Sequence, residues 1–295
     1  MLQPSLFDDT VSRKIINVAS VPQRSPFRYP GGKTWLVPYI RRWIHSQINQ
    51  PVQEFVEPFA GGGIASLTVA AEKLANHVTM VELDENVASV WTTILNGQGN
   101  WLADRIARFE FTDTMVDFIL THEPSSLRER AFQTILKNRV NHGGIMANGA
   151  GRIRHGENGK GMKSRWYPQT LKKRILEITK FAQSIAFIQG DGFPVIRENA
   201  QNPQALFFID PPYTADGKKA GTRLYKYSEI NHRELFALAS QIRGDFLMTY
   251  DNAEGVKALA QEHGFDTHVI PMKNTHNAKM TELLIGRSLD WARAF

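Results

Sequence analysis

A strand, a glycine-rich turn and a helix follow one another early in the chain, and this order constrains the fold more than any other feature. Residues 54–57 predict a strand, residues 58–63 a tight turn, and alanines and leucines at helical spacing predict a helix over residues 64–74. A second strand at residues 77–82 and another helical pattern come next. This βαβα start predicts a mostly parallel α/β sheet.

Later apolar runs extend the same rhythm, and one central segment interrupts it. Further strands are predicted at residues 185–188, 205–209, 246–250, 268–270 and 283–285. We therefore predict a Rossmann-like sheet domain, mostly parallel, formed by residues 23–108 and 183–295. Residues 109–182 are predicted to be an inserted subdomain, largely helical and loop-rich, that packs on the sheet.

The basic residues are concentrated in the predicted insert. Residues 128–180 hold 13 Lys and Arg but three acids, a balance of +10, whereas the rest of the chain has 22 basic and 26 acidic residues, a balance of −4. Seven glycines interleave with these charges, as expected of loops that follow a phosphate backbone. The segment therefore indicates nucleic-acid binding, with a solvated basic face as the alternative.

Composition excludes several classes of protein. The chain contains no cysteine, which rules out disulfides, thiolate metal sites and a cysteine nucleophile. Its longest apolar runs are strand-sized, so no membrane-spanning helix is expected. Residues 1–22 lack the apolar stretch of a secretory signal, so we expect a partly disordered leader and no export.

The glycine turn and the acids that follow it predict a nucleotide-like ligand. The turn lies where an α/β sheet binds ligands, beyond the carboxyl end of a strand. Glu82 and Asp84 end the next strand, at the spacing at which a carboxylate binds the hydroxyl groups of a ribose. The alternative is an ordinary turn followed by a helix that Asp84 caps.

The segment Gly31-Gly32-Lys33-Thr34 is not a nucleotide-triphosphate loop. Such loops carry an earlier glycine five positions before the second one here, and this chain has Phe27 at that position. The segment also follows no predicted strand. ATP hydrolysis is therefore not expected.

Asp210-Pro211-Pro212-Tyr213 is the motif most specific to one chemistry, because it directly follows the buried strand at residues 205–209. The prolines fix the backbone and withhold N–H donors, which leaves carbonyls and a carboxylate as acceptors. The alternative is a structural Pro-Pro turn with a packing tyrosine.

An aromatic amine suits this acceptor-rich pocket. Its two N–H groups match the Asp210 carboxylate and the Pro211 carbonyl, and Tyr213 is expected to stack on the ring. Accepting both hydrogen bonds directs the nitrogen lone pair toward a methyl donor. Because duplex DNA keeps this amine inside the base stack, the target base must be flipped into the pocket.

Residues 27–33, 55–62 and 210–213, in this order, resemble the motifs of Dam-type, adenine-specific DNA methyltransferases. The resemblance spans most of the chain. It implies transfer of a methyl group from S-adenosylmethionine to the exocyclic 6-amino group of a flipped adenine within a short DNA sequence. The catalytic residues would be Asp210, Pro211, Pro212 and Tyr213, and no metal is implied.

The resemblance also implies a cofactor site. Tyr29 and Lys33 would contact the methionine part of S-adenosylmethionine, Asp84 the ribose and Asp191 the adenine. The complete set of implied cofactor-binding residues is Tyr29, Gly31, Gly32, Lys33, Glu57, Pro58, Phe59, Ala60, Gly61, Gly62, Asp84 and Asp191. Glu57 replaces an Asp that is common in the family.

Target recognition is implied for residues 109–182. Asn138-Arg139 and the glycines at 143–144 resemble the signature that opens this region, and residues 279–285 resemble the closing strand motif. Residues 147–167 align with nothing in the family. The predicted DNA-binding residues are Asn138, Arg139, Arg152, Arg154, Lys160, Lys163 and Arg165, with Arg139 and the 152–165 loop favoured for base readout.

Alternatives from other classes stay open. Cytosine-C5 methylation needs a thiolate and is excluded. An amine-directed cytosine enzyme shares the chemistry but more often has Ser at the position of Asp210, and protein-amide methylation usually has Asn there. RNA methylation and a non-catalytic DNA-binding relative are further alternatives. The resemblance implies a cytoplasmic protein of a bacterium, archaeon or phage, a monomer or weak dimer, with double-stranded DNA and a cognate restriction nuclease as candidate partners.

Overall fold

The computed structural model describes residues 16–47, 51–147, 149–213, 229–273 and 279–294. Most of the leader, residues 1–15, lies outside the described residues. Residues 18–20 form a short 3-10 helix.

Seven strands form one sheet, in the order β3-β2-β1-β4-β5-β7-β6. The strands are β1 (Val52–Glu57), β2 (Ala75–Glu82), β3 (Ile185–Gln189), β4 (Ala205–Ile209), β5 (Asp245–Asp251), β6 (Asp266–Lys273) and β7 (Lys279–Gly286). Strands β1 to β5 pair in parallel, and β7 lies antiparallel between β5 and β6. The predicted Rossmann-like, mostly parallel α/β fold is confirmed.

Helices cover the sheet and lengthen its crossovers. They are α1 (Val37–His45), α2 (Ile64–Ala71), α3 (Glu85–Thr93), α4 (Gly99–Ala107), α5 (Asp113–Thr121), α6 (Leu127–Val140), α7 (Pro168–Thr179), α8 (Gly192–Asn199), α9 (His232–Gln241), α10 (Glu254–Glu262) and α11 (Asp290–Arg293). A kinked turn at Ile94–Gln98 joins α3 to α4. The predicted strand and helix positions agree with this order to within a few residues.

The helices of the predicted insert belong to the main core. Helix α6 packs on α3, and α7 packs on α4. Phe132 and Ile175 of these helices share one hydrophobic cluster with Phe55 and Met80 of the sheet. Helices α6 and α7 therefore pack with the sheet domain, and the division of the chain at residues 109 and 182 stays a prediction.

Candidate active site

The carboxyl edge of the sheet gathers acidic residues. Glu57, Glu82 and Asp251 end β1, β2 and β5, while Asp191 and Asp210 follow β3 and β4. Because parallel strands all end at one edge, residues far apart in the sequence meet there. They line a cleft of about 2310 Å³.

All the predicted cofactor-binding and catalytic residues line this cleft. They are Tyr29, Gly31, Gly32, Lys33, Glu57, Pro58, Phe59, Ala60, Gly61, Gly62, Asp84, Asp191, Asp210, Pro211, Pro212 and Tyr213. The structure thus brings the three motifs together in one place. The individual roles of these residues stay predictions.

Three donors converge on one oxygen of Asp210. Its Oδ1 accepts hydrogen bonds from Lys33 Nζ at 2.9 Å and from Thr249 Oγ1 at 2.7 Å, and the hydroxyl oxygen of Tyr213 lies 2.8 Å away. Lys33 is 4% exposed, so its ammonium and this carboxylate form a shielded ion pair. The carboxylate is therefore held in one orientation at the floor of the cleft.

Tyr213 is anchored by its hydroxyl and by its ring. The hydroxyl oxygen also lies 2.5 Å from Glu282 Oε1. The ring stacks on Tyr250, with centroids 5.6 Å apart and planes 20° apart, and Lys33 Nζ lies 4.9 Å from the ring centroid. Burial, with Asp210 next, raises the pKa of Tyr213 well above its usual value. In this conformation the ring contacts protein groups rather than standing open for the target base that sequence analysis expected.

Lys33 contacts the catalytic motif rather than standing apart at a cofactor subsite. Its ammonium donates to Gly31 O at 2.9 Å and lies 3.2 Å from Glu282 Oε1, in addition to its bond with Asp210. The sequence analysis linked Lys33 with the methionine part of the cofactor. The observed contacts connect it most directly to the acidic groups at the centre of the site.

Glu57 joins β1 to the start of α2. Its Oε2 accepts the Ser66 backbone N–H at 2.8 Å, and its side chain is buried. Burial raises its pKa to about 8, and the nearby Asp210 and Glu82 carboxylates add to the rise. Glu57 thus supports the glycine turn from a buried position.

Glu82 organises the glycine turn from the neighbouring strand. Its two oxygens accept the backbone N–H groups of Gly61 and Asp84, both at 2.8 Å. Burial raises the pKa of Glu82 to about 7. Asp84 itself caps α3 by accepting the Asn86 N–H at 2.8 Å, so the capping alternative is present in the structure. Asp191 caps α8 in the same way, accepting the Phe193 N–H at 3.1 Å.

Tyr29 covers the glycine turn. Gly61 has φ +49°, and a Cβ there would approach the Tyr29 ring to 2.6 Å, while a Cβ at Gly62 would lie 2.8 Å from Tyr29 Cβ. These glycines therefore admit the side chain of Tyr29, which sequence analysis had placed on the cofactor. The motif at residues 27–33 and the glycine turn form a single packed unit.

Comparison with known families matches this set of motifs. The profile of the D12 class N6 adenine-specific DNA methyltransferases matches residues 29–275, which contain the glycine turn, the Asp-Pro-Pro-Tyr motif and most of the motif at residues 27–33. The chain belongs to this family. It is accordingly a methyltransferase that uses S-adenosylmethionine as methyl donor.

Two solved methyltransferase structures align with most of the chain at low sequence identity. A putative RNA methyltransferase from Pyrococcus horikoshii is 11% identical with a TM-score of 0.43, and the match covers 91% of this chain and 93% of that one. An rRNA methyltransferase from Streptomyces viridochromogenes is 10% identical with a TM-score of 0.42, covering 90% and 89%. No curated protein sequence gives a significant match.

The residues of the cleft fit S-adenosylmethionine. The cofactor carries a cationic sulfonium and an ammonium group. A cation nearby would favour the ionised forms of Glu57 and Glu82, whose pKa values burial raises to about 8 and about 7, so these acids suit a cationic ligand. Backbone N–H groups at the start of α2 and the acids after β2 and β3 suit its polar groups. Among the described residues, no cluster of three or more potential ligands could hold a metal ion. None of the described helices is long and apolar enough to span a membrane.

Asn138 of the methyltransferase fastens the segment that carries Tyr29 and Lys33. Its Oδ1 accepts the Arg28 N–H at 2.9 Å, and its Nδ2 donates to Arg28 O at 2.9 Å and to Gly144 O at 2.8 Å. The side chain is completely buried. In this conformation the amide is committed to the backbone, and the predicted DNA contact of Asn138 stays a prediction.

Arg139 is also an interior residue. It is 5% exposed and donates through Nη2 to Pro26 O, while Arg174 on α7 donates to Ser25 O at 2.9 Å. Burial, followed by the nearby Arg174 and Arg28, lowers the pKa of Arg139 to about 9. Arg139 lines the cleft from inside the fold, so its predicted role in base readout lacks the exposed guanidinium that such readout needs.

The basic loop divides into paired and exposed residues. Arg152 forms an ion pair with Asp117. Arg154, Lys160 and Lys163 are exposed. Arg165 is half-buried and lines the cleft. Arg152 is therefore engaged with Asp117 in this conformation. For the exposed residues, DNA contact stays a prediction.

Sequence analysis missed Glu282 and Asp251. They are register partners on β7 and β5, and both line the cleft. An acid beside the apolar run Leu283-Leu284-Ile285, in a strand flanked by two others, was a usable signal, because such a position is buried. It gave no indication of which groups the acid contacts.

Proposed function

We propose that this methyltransferase modifies the 6-amino group of adenine in duplex DNA, with the target base flipped into the cleft. The observation that supports the proposal is the fixed Asp210 carboxylate, followed by two prolines, on the floor of a cleft lined by the predicted cofactor residues. The family description points to the same base and the same nucleic acid.

In this proposal Asp210 and Pro211 orient the amine. Two N–H groups of the adenine amine donate to the carboxylate and to the Pro211 carbonyl, which directs the nitrogen lone pair away from the ring. S-adenosylmethionine, when bound, supplies an electrophilic methyl group. The chain contributes alignment and a low-dielectric surrounding, and no covalent enzyme intermediate is needed.

The Lys33 ammonium competes with the target amine for Asp210. Both are N–H donors, and Lys33 lies 2.9 Å from Oδ1. Asp210 therefore has two ways to receive the base: through its other oxygen, or through Oδ1 after Lys33 shifts toward Gly31 and Glu282, which it already contacts. Either route keeps the Asp210 side chain close to the Lys33 ammonium.

DNA binding is proposed for the face around the basic loop. Arg154, Lys160 and Lys163 would contact phosphates, and Arg165 would reach the cleft, where the flipped base enters. If a restriction nuclease shares the target sequence, the two proteins would form a restriction-modification pair.

Expression in a host without DNA methylation, followed by base-resolved mapping, tests the function directly. We expect N6-methyladenine within one short motif. N4-methylcytosine at a fixed motif would favour the amine-directed cytosine alternative, and methylation of RNA alone would contradict a DNA substrate.

Asp210→Ala separates catalysis from cofactor binding. Removing the carboxylate should abolish methyl transfer, while S-adenosylmethionine affinity, measured by calorimetry, stays within a few-fold of that of the unsubstituted enzyme. Asp84→Ala should instead weaken the cofactor by about 1–3 kcal/mol if this side chain binds the ribose. Loss of cofactor binding in the Asp210 variant would contradict the division of roles.

A further inference from the structure

Glu282 is a second buried acid in the methyl-transfer site, and its contacts are those of a group that holds a proton. It is 6% exposed on β7, and its Oε1 lies 2.5 Å from the Tyr213 hydroxyl and 3.2 Å from Lys33 Nζ. Glu282 lies within the strand motif at residues 279–285, but neither that motif nor the proposed reaction gives this side chain a task of its own.

The Tyr213 hydroxyl has fewer protons than the two acids beside it have acceptor contacts to fill. A phenol hydroxyl has one proton, yet the Tyr213 oxygen lies within hydrogen-bond distance of both Asp210 Oδ1, at 2.8 Å, and Glu282 Oε1, at 2.5 Å. If both carboxyl groups were ionised, one contact would bring two oxygen lone pairs together without a proton. At these distances such a contact is repulsive, and an extra proton on one of the two acids removes the repulsion.

The surroundings indicate which acid is protonated. Lys33 Nζ is closer to Asp210, at 2.9 Å, than to Glu282, at 3.2 Å, and Thr249 also donates to Asp210. Asp210 is therefore the better-stabilised anion. Glu282 instead faces the acid Asp251 directly across the β5–β7 pairing and apolar Ile270 across the β6–β7 pairing.

We propose that Glu282 is a positioning residue that acts in its protonated form, donating to Tyr213 so that Tyr213 donates to Asp210. This assignment rests on the proposed function, because Asp210 is the group that receives the target amine. The chain of donated hydrogen bonds fixes Asp210 Oδ1 and leaves its second oxygen to accept the substrate. Burial raises the pKa of Glu282 although Lys33 opposes the rise, which agrees with the proton count.

Ionisation of Glu282 would reverse the chain. The Tyr213 hydroxyl would then donate to Glu282, and Asp210 would lose one donor. Because the raised pKa keeps Glu282 protonated at lower pH, the positioning effect is present there and is lost as pH rises through that pKa. The charged or titratable groups around it are Lys33, Asp210, Tyr213 and Asp251.

Two substitutions separate a proton donor from a merely structural acid. Glu282→Gln keeps an N–H donor for Tyr213, whereas Glu282→Leu removes it. We expect turnover on duplex DNA to fall about ten- to a hundredfold in Glu282→Leu, and by much less in Glu282→Gln, with cofactor affinity and the melting temperature similar in the two variants. Equal losses in both would overturn the proposal.

The pH profile supplies a readout that packing alone would not change. The unsubstituted enzyme should lose turnover as Glu282 ionises, and this decline should be absent in Glu282→Gln, while titrations of the other groups appear in both. A decline of the same size and midpoint in Glu282→Gln would assign it to another group and overturn the proposal.

Infrared difference spectroscopy tests the proton without any substrate. The spectrum of the unsubstituted enzyme at neutral pH should contain a protonated carboxyl band that Glu282→Gln lacks. Absence of such a difference would overturn the assignment. If the band is present but no adenine in DNA is methylated, the proposed function fails while the protonated Glu282 stands.

Discussion

At the scale of single residues, the site is a network of acids held by a few donors. Asp210 is fixed by Lys33, Thr249 and Tyr213, and Tyr213 links it to Glu282. Such buried networks depend on every partner, because each group left without a hydrogen bond is costly in a low dielectric. Small changes of hydroxyl or carboxyl groups should therefore have large effects.

Tyr213→Phe tests whether the hydroxyl or the ring matters more. If Tyr213 only stacked on the base, the Phe substitution would have a small effect on turnover. The observed contacts instead predict that the activation free energy of turnover rises by about 1.5–3 kcal/mol, the size of a hydrogen bond with a charged group. Tyr250→Phe is the matched control, since that hydroxyl lies 3.0 Å from His232 Nδ1 instead. Similar turnover in Tyr213→Phe and unsubstituted enzyme would restore stacking as the main role.

Glu57→Gln tests the pH dependence of stability. The folded protein raises the pKa of Glu57 from 4.5 to about 8, so its favourable contribution is complete below about pH 4.5 and is lost as pH rises through 8. Gln keeps an acceptor for the Ser66 N–H but does not ionise.

Urea unfolding at several pH values measures this effect. Between pH 5 and pH 8 the free energy of unfolding should fall in the unsubstituted protein and fall less in Glu57→Gln. The two decreases should differ by up to about a few kcal/mol. Glu82 titrates in the same direction in both proteins, so the main part of the difference comes from Glu57. Parallel curves would show that Glu57 is not the responsible group.

At the scale of elements, α6 and α7 hold the N-terminal segment against the sheet. Asn138 and Arg139 of α6 bind the backbone of Arg28 and Pro26, and Arg174 of α7 binds Ser25. The helices outside the predicted catalytic domain therefore position the segment that supplies Tyr29 and Lys33.

Gly144→Ala should loosen this connection. Gly144 has φ +77°, and an added Cβ would lie 2.0 Å from Arg28 O. We expect a loss of about 1–3 kcal/mol from this overlap beyond the cost of the left-handed backbone. Gly149→Ala is the control, because Gly149 has φ +81° with nothing within 4 Å. Equal changes in unfolding free energy for the two variants would show that the contact with Arg28 does not matter.

At the scale of the whole molecule, only part of the positive charge of residues 128–180 lies on the surface. Arg139 and Arg174 of the basic segment bind backbone carbonyls inside the fold, and Arg152 and Lys172 are paired with acids. Arg154, Lys160 and Lys163 on the loop are exposed, so they make up a larger fraction of the positive charge that DNA could contact than of the segment's total positive charge.

Salt dependence of DNA binding tests this surface. Each of Arg154→Gln, Lys160→Gln and Lys163→Gln should reduce the slope of log affinity against log salt by about one unit if the residue contacts a phosphate. Lys180→Gln is the control, because Lys180 pairs with Glu177 on α7. If the slope of log affinity against log salt is the same in all four variants, DNA binds to another surface.

The sequence by itself determined the fold class and the location of the site. Strand and helix periodicity, the glycine turn after β1 and the Asp-Pro-Pro-Tyr motif after β4 are local patterns, so they can be recognised without tertiary contacts. The rule that ligands bind at the carboxyl edge of a parallel sheet then placed both motifs in one cleft.

Only the tertiary structure decided which side chains face one another. Asn138 and Arg28 are 110 positions apart, and Tyr213 and Glu282 are 69 apart. No local sequence pattern therefore indicates that either pair is hydrogen-bonded. Arg139 has the residue type of a DNA contact, and burial alone assigns it to the interior. Chain periodicity fixes the elements, whereas partner choice depends on how these elements pack, and packing joins residues that the sequence keeps far apart.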